Sequence, residues 1–184
     1  MDNKVSTRFF FETWKNVVLI NSQRLKDNWQ NANKFTSLIK GEENSILSSI
    51  GKVLDLEVYE SDYYSLDAIF YDKDDLCPRI KENTFWFRNI RIAFEHENAF
   101  NLKLCEEISH LIITNCDLRV LVTYPNSVEE GEEMLLYFSD IIKGNRKDKE
   151  FSENEEILVI FGYESDFVWN GYIYNTNSWI NIQN

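Results

Sequence analysis

Three acids carry the chemistry this sequence could do. Asp67 lies in the apolar run Tyr63-Tyr64-Ser65-Leu66-Asp67-Ala68-Ile69-Phe70, and Glu95-His96-Glu97 closes a second run, Ile90-Arg91-Ile92-Ala93-Phe94. A carboxylate planted in an apolar strand is costly unless something compensates it, and a divalent cation is a common compensation. Side chains alternate along a strand, so Glu95 and Glu97 share one face while His96 and Phe94 take the other. With Asp67 on an adjacent strand, three carboxylates converge at one sheet edge. Three oxygen donors with open positions suit Mg²⁺ or Mn²⁺, ions that keep several waters and bind substrate phosphates. Such an ion lowers the pKa of a bound water and offsets charge growing on a phosphoryl group, which is metal-assisted phosphodiester hydrolysis. The alternative stays open: acids at a strand end can simply mark where the strand reaches water, and a carboxylate pair alone is a weak motif.

The elements that must position these acids follow from periodicity. The first forty residues read as helical. Ser6 or Thr7 is placed to cap a helix bearing Phe10, Trp14, Val17 and Val18, and Ser22 to cap a second with Leu25, Trp29 and Phe35. Gly41 breaks the run. A helix over Glu42–Leu54 follows, with Ile46, Leu47, Ile50, Val53 and Leu54 on its apolar side and acids in its first turn. Strands are predicted at Leu56–Tyr59, Tyr63–Tyr71, Phe85–Phe94, Leu118–Tyr124, Ile157–Tyr163 and Val168–Tyr174. Helices are predicted at Leu102–Asn115 and from the capping box Ser127-Val128-Glu129-Glu130 to a stop at Gly144. Asn145–Glu156 reads as a charged loop. Strand, helix and strand within about forty residues make a βαβ unit, so the strands ending at Glu95 and Tyr124 are expected to be parallel neighbours. The whole is an α/β chain in a single domain: a helical segment over 1–41, a core over 42–124, and a helix with late strands over 125–184.

Composition narrows the class. The chain has 184 residues, 43% hydrophobic and 15% aromatic, with two prolines and six glycines, which suits a packed core rather than disorder. The net charge of −12 opposes a phosphate-rich partner, yet it is uneven. Residues 126–184 hold 12 acids and 4 bases, whereas Arg79, Lys81, Arg88, Arg91 and Lys103 lie around the acid triad. No basic stripe is present. Three cysteines (Cys77, Cys105, Cys116) without a CxxC spacing, and a start in polar Met1-Asp2-Asn3-Lys4, lead to the expectation of a reduced, cytoplasmic protein. No Ser-His-Asp set, glycine-rich phosphate loop or zinc spacing is present. His96 and His110 read as packed or surface histidines, and the aromatics Phe167, Trp169, Tyr172, Tyr174 and Trp179 as sheet packing rather than base stacking.

The order of parts from Glu42 to Tyr124 resembles the PD-(D/E)XK, or restriction-endonuclease-like, superfamily. The resemblance implies a mixed β-sheet core flanked by helices and a Mg²⁺- or Mn²⁺-dependent nuclease acting on DNA or RNA. Asp67 matches the motif aspartate that bridges metals and Glu95 the second acid. Glu97 stands where most of the family carries the lysine that orients or activates the attacking water. A minority BamHI-like branch carries glutamate there, and in that reading Glu97 binds or deprotonates the water. Glu43, with Glu42 as alternate, stands where the family's helix acid joins the metal set, though both equally fit a helix N-terminal charge. Lys103 is the base placed to steady the leaving charge. The family's preceding proline is replaced by Ser65-Leu66. Members are often dimers, which makes a homodimer one expectation. The second expectation, of a different class, is a non-catalytic acidic or immunity-type protein on the same fold, binding a basic protein partner.

Overall fold

A computed structural model describes residues 5–78, 81 and 84–183; Arg79 and the opening Met1–Lys4 lie outside the described residues. Seven strands form one mixed sheet in sequence order: β1 (Glu57–Tyr59), β2 (Ala68–Tyr71), β3 (Ile90–Glu97), β4 (Cys116–Thr123), β5 (Ile157–Tyr163), β6 (Val168–Asn175) and β7 (Ser178–Asn181). The central pairs β3–β4 and β4–β5 are parallel, and every other neighbouring pair is antiparallel. The βαβ unit expected between Glu95 and Tyr124 is therefore present, with α5 (Leu104–Ile113) as its crossover.

Helices cover both faces. On one, α1 (Thr7–Ile20), α2 (Ser22–Lys26), α3 (Ala32–Ile39) and α4 (Ile46–Leu54) bury Phe10, Trp14, Leu25, Phe35 and Ile50 against Phe70, Phe94, Val120 and Ile160. On the other, α5, α6 (Val128–Lys143) and α7 (Asp148–Glu153) bury Ile108, Leu111, Phe138 and Phe151 against Ile69, Ala93, Leu121 and Phe161. Alternate residues of one strand thus serve opposite layers, which is why the central strands read as unbroken apolar runs. Gly171 lets α1 sit close on the first face: a Cβ there would lie 2.8 Å from the Phe11 ring.

Local chemistry sets the helix ends. Ser6, Asn31, Ser45 and Ser127 each accept the N–H three residues on, contributing about 1 kcal/mol apiece. The helix expected from Glu42 begins only at Ile46, because Ser45 takes the capping position. Ser22 is the first residue of α2 rather than its cap. Glu130 returns its carboxylate to the Asn126 N–H at 2.7 Å, one residue outside the expected box.

Three further expectations are corrected. The strand predicted over Tyr63–Tyr71 exists only from Ala68, because Tyr64 and Ser65 adopt left-handed φ of 53° and 69° in a turn closed by mutual Tyr63–Leu66 hydrogen bonds. The strand predicted over Phe85–Phe94 runs instead from Ile90 to Glu97, so both glutamates lie inside it. The charged loop after Gly144 contains α7, and β7 follows β6 through a tight turn at Thr176 and Asn177, which also take positive φ.

Candidate metal centre beside β3

Asp67 immediately precedes β2, and the antiparallel register Ala68↔Phe94 sets it opposite Glu95. The Glu95 side chain lies on the α5 face, opposite to that of Phe94 and His96. The Asp67 N–H donates to Glu95 Oε2 at 3.2 Å, and the His96 N–H donates to Asp67 Oδ2 at 2.9 Å. Lys40, at the C-terminus of α3, places its ammonium on Asp67 Oδ1 and reaches the Asp67 carbonyl at 3.4 Å. Both Asp67 oxygens are therefore engaged by the protein.

Glu95 differs. It is 2% exposed, and its Oε1 is buried with no hydrogen-bond partner among the described residues. Burial pushes its carboxyl up to about 9, and the charges of Asp67 and Glu107 push the same way, against the weaker help of the Asp67 N–H and Lys40. A carboxyl in this setting keeps its proton at neutral pH unless a cation replaces it.

Two α5 residues complete the cluster. Glu107 and His110, at i and i+3, project from one helix face; His110 Nδ1 lies 3.6 Å from Glu107 Oε2. One donor atom from each of Glu95, Glu107 and His110 falls within 4.8 Å of the others. His110 Nδ1 is a second buried atom lacking a hydrogen bond. Burial raises the Glu107 carboxyl, and the charges of Asp67, Glu97 and Glu106 add to the rise while His110 opposes it. The sequence held a usable signal for this pair: Glu107-x-x-His110 occurs in the first helix after Glu95, where one helical turn aligns the two side chains. Lys40 carried none, because it follows the last turn of a helix remote in sequence.

The remaining expected residues fall elsewhere around this cluster. Glu97 lies two residues beyond Glu95 on the same face, half-buried, and its Oε1 accepts the Ala99 N–H at 2.7 Å, closing the turn after β3. Glu42 is held by Arg24, Lys34 and Ser37; the Lys34 hydrogen bond is foremost in drawing its carboxyl below the ordinary value. Glu43 is exposed in the turn before α4. Lys103 is exposed at the start of α5. His96 points to the opposite face as alternation requires. Its ring stacks on Phe35, its Nε2 lies 2.7 Å from the Tyr124 hydroxyl, and burial lowers its pKa to about 4. The late aromatics pack: Trp169 meets Trp14, Trp29 and Tyr124, and Tyr174 meets Trp179.

The donor set fits a divalent cation. Glu95 offers a buried oxygen aimed into the cluster with nothing to accept from, and four further carboxylates (Asp67, Glu97, Glu106, Glu107) act electrostatically on this spot. Lys40 is the cation that joins them by an ion pair among the described residues. A cleft of about 320 Å³ lined by Trp29, Phe35, Asn98, Tyr124, Asn126 and Glu164 opens at the same, C-terminal end of β3, β4 and β5. Ligands of open α/β sheets collect at this end. None of the described helices is long and apolar enough to cross a membrane. No protein-family model matches the sequence, and no curated protein matches it.

Proposed function

We propose that this chain is a divalent-metal-dependent nuclease of the PD-(D/E)XK kind, acting in the cytoplasm on the phosphodiester bonds of nucleic acid. The observation that carries the reading is Glu95: a fully buried carboxylate with an orphaned oxygen, paired across the sheet with Asp67. Asp67, just before β2, and Glu95 of β3 would hold the ion, and Glu97 lies along the same face toward solvent. A Mg²⁺ or Mn²⁺ ion bound there would supply an acidified water and charge neutralisation at phosphoryl oxygens. Glu97, whose Oε1 accepts the Ala99 N–H, would be the carboxylate placed to take a proton from a water there. Lys40, fixed on Asp67, brings the positive charge that glutamate at position 97 cannot supply. Arg88 and Arg91 are engaged by the Asp74 carbonyl and the Asp75 carboxylate, so among these described residues phosphate capture falls chiefly to the ion and to the exposed Lys103.

The test is cleavage of single- and double-stranded DNA and RNA at low salt with Mg²⁺ or Mn²⁺. Wild type is expected to cut at least one of them, and Asp67→Ala and Glu95→Ala to lose the activity. A wild type that binds neither metal nor nucleic acid refutes the proposal.

One observation favours a second reading, a non-catalytic acidic protein that binds a basic partner. Lys40 and the His96 N–H already satisfy Asp67 without an ion, as in a site retired from catalysis. Residues 126–184, with 12 acids and 4 bases, supply the surface. Capture of a basic protein that is lost at high salt, from a chain with no metal affinity, supports this reading over the first.

A further inference from the structure

We infer that the cation beside Glu95 is a borderline transition metal held by Glu95, Glu107 and His110, and that His110 makes the site discriminate against Mg²⁺. The inference shares with the nuclease reading only the premise that a cation binds beside Glu95, and it concerns which ion and through which atoms.

The geometry comes from two elements that the fold locks together. Glu95 projects from the central parallel strand β3 toward α5, which lies on that face as the crossover to β4. Leu104, Ile108 and Leu111 anchor the helix in the core, so Glu107 and His110 are presented from a fixed helix rather than a loop. Their donor atoms and a Glu95 oxygen lie mutually within 4.8 Å, a separation that one ion can bridge with small side-chain rotations. Glu95 Oε1 is buried without a partner, and His110 Nδ1 is buried without a hydrogen bond, its nearest acid being Glu107 Oε2 at 3.6 Å. Lys40, the base that acts on Glu95, is committed to Asp67 and makes no hydrogen bond to Glu95 Oε1. A bound cation satisfies both buried atoms at once.

Donor chemistry then selects the ion. Two carboxylates and one imidazole, with the remaining positions open, match the preferences of Mn²⁺, Fe²⁺, Co²⁺ and Zn²⁺. Mg²⁺ is a hard ion that demands oxygen ligands and gains little from imidazole nitrogen. The Asp67–Glu95–Glu97 set alone is all oxygen and would prefer Mg²⁺. Substituting the α5 pair for Glu97 reverses the order. Asp67 becomes an outer partner, held by Lys40 and aligning Glu95 through its N–H.

The chain has only two histidines, and the other, His96, lies on the far face against Tyr124, which makes a clean test available. Metal-stripped protein labelled with ¹⁵N-histidine is titrated with Zn²⁺ and, separately, with excess Mg²⁺, and Co²⁺ affinity is read from visible absorption. The expected result is a Zn²⁺-induced shift of the His110 ring nitrogens with those of His96 unmoved. Co²⁺ binds at one equivalent, is not displaced by excess Mg²⁺, and binds roughly 10–100-fold more weakly in His110→Gln and in Glu107→Gln. Circular dichroism and melting confirm that both variants fold, and the wild-type spectra stand without them. Unmoved His110 nitrogens, an unchanged Co²⁺ affinity in His110→Gln, or displacement by equimolar Mg²⁺ would each overturn the inference. Failure here is distinct from failure of the nuclease reading. Mg²⁺-dependent cleavage indifferent to His110→Gln refutes the histidine ligand and leaves the nuclease, whereas Co²⁺ bound through His110 without cleavage does the reverse.

Discussion

Two carboxylates in this protein are equally hidden from water, and they have opposite surroundings. Asp75 and Glu95 are each 2% exposed. Asp75 accepts four hydrogen bonds: from Arg91 Nε at 2.7 Å, Arg91 Nη2 at 3.1 Å, Asn89 Nδ2 at 3.0 Å and the Asp72 N–H at 2.9 Å. Burial pushes its carboxyl up, but the Arg91, Asn89 and Asp72 donors more than reverse this and hold it below the ordinary value. Glu95 accepts one long hydrogen bond and faces two further acids, so nothing reverses its desolvation. The contrast separates two uses of a buried acid. Asp75 ties the segment before β3 to the strand itself and is complete without an ion. Glu95 keeps one buried oxygen without a hydrogen bond among the described residues and has no base as close a partner as Arg91 is to Asp75.

The largest effect that could break this comparison is on stability. Asp75→Ala strands Arg91 and Asn89 and is expected to cost about 3 kcal/mol in chemical denaturation, as breaking a buried pair does. Glu95→Gln in metal-free protein should cost nothing or stabilise, because it removes a group that the fold holds at a penalty. Equal losses at the two positions would erase the distinction.

Next comes pH. The folded-state pKa of Glu95 lies above its unfolded value, so between the ordinary carboxylate range and about 9 the native state holds a proton that the unfolded chain has released. Stability of metal-free protein should therefore fall as pH rises from about 5 to 9, and Glu95→Gln should flatten that slope. Asp75 acts in the opposite sense: its contribution is present above the ordinary carboxylate range and is lost as pH falls below it. Melting curves across this range, with and without saturating Mn²⁺, measure both slopes. A metal-free slope unchanged by Glu95→Gln contradicts the assignment.

The smallest effect concerns the far side of β3. Tyr124→Phe removes the hydroxyl beside His96 and is expected to cost about 1 kcal/mol without altering metal affinity. A change in metal affinity would mean that the two faces of the strand are coupled.

Much of the positioning was legible in the sequence. Alternation alone placed Glu95 and Glu97 on one face and His96 on the other, and element order gave the parallel β3–β4 pair, while the approach of Asp67 to Glu95 was expected only if their strands were neighbours. The α/β class and six of the seven strands followed from the apolar runs. What escaped did so for physical reasons. Tyr64 and Ser65 take left-handed φ with neither glycine nor asparagine to signal it, so a turn was read as strand. β7 is short and half polar, and it exists because β6 offers it an edge. Lys40 and the α5 pair join the acids through tertiary packing, and periodicity reports only which face of a helix is apolar, not what the flanking polar positions meet.

The most direct test is calorimetric titration of Mn²⁺ into metal-stripped protein, wild type beside Glu95→Gln. The expected result is one site per chain in wild type, its loss in Glu95→Gln, and an unchanged site in a control at the exposed Glu43→Gln. Absence of Mn²⁺ binding by the wild type, or undiminished binding by Glu95→Gln, would contradict it.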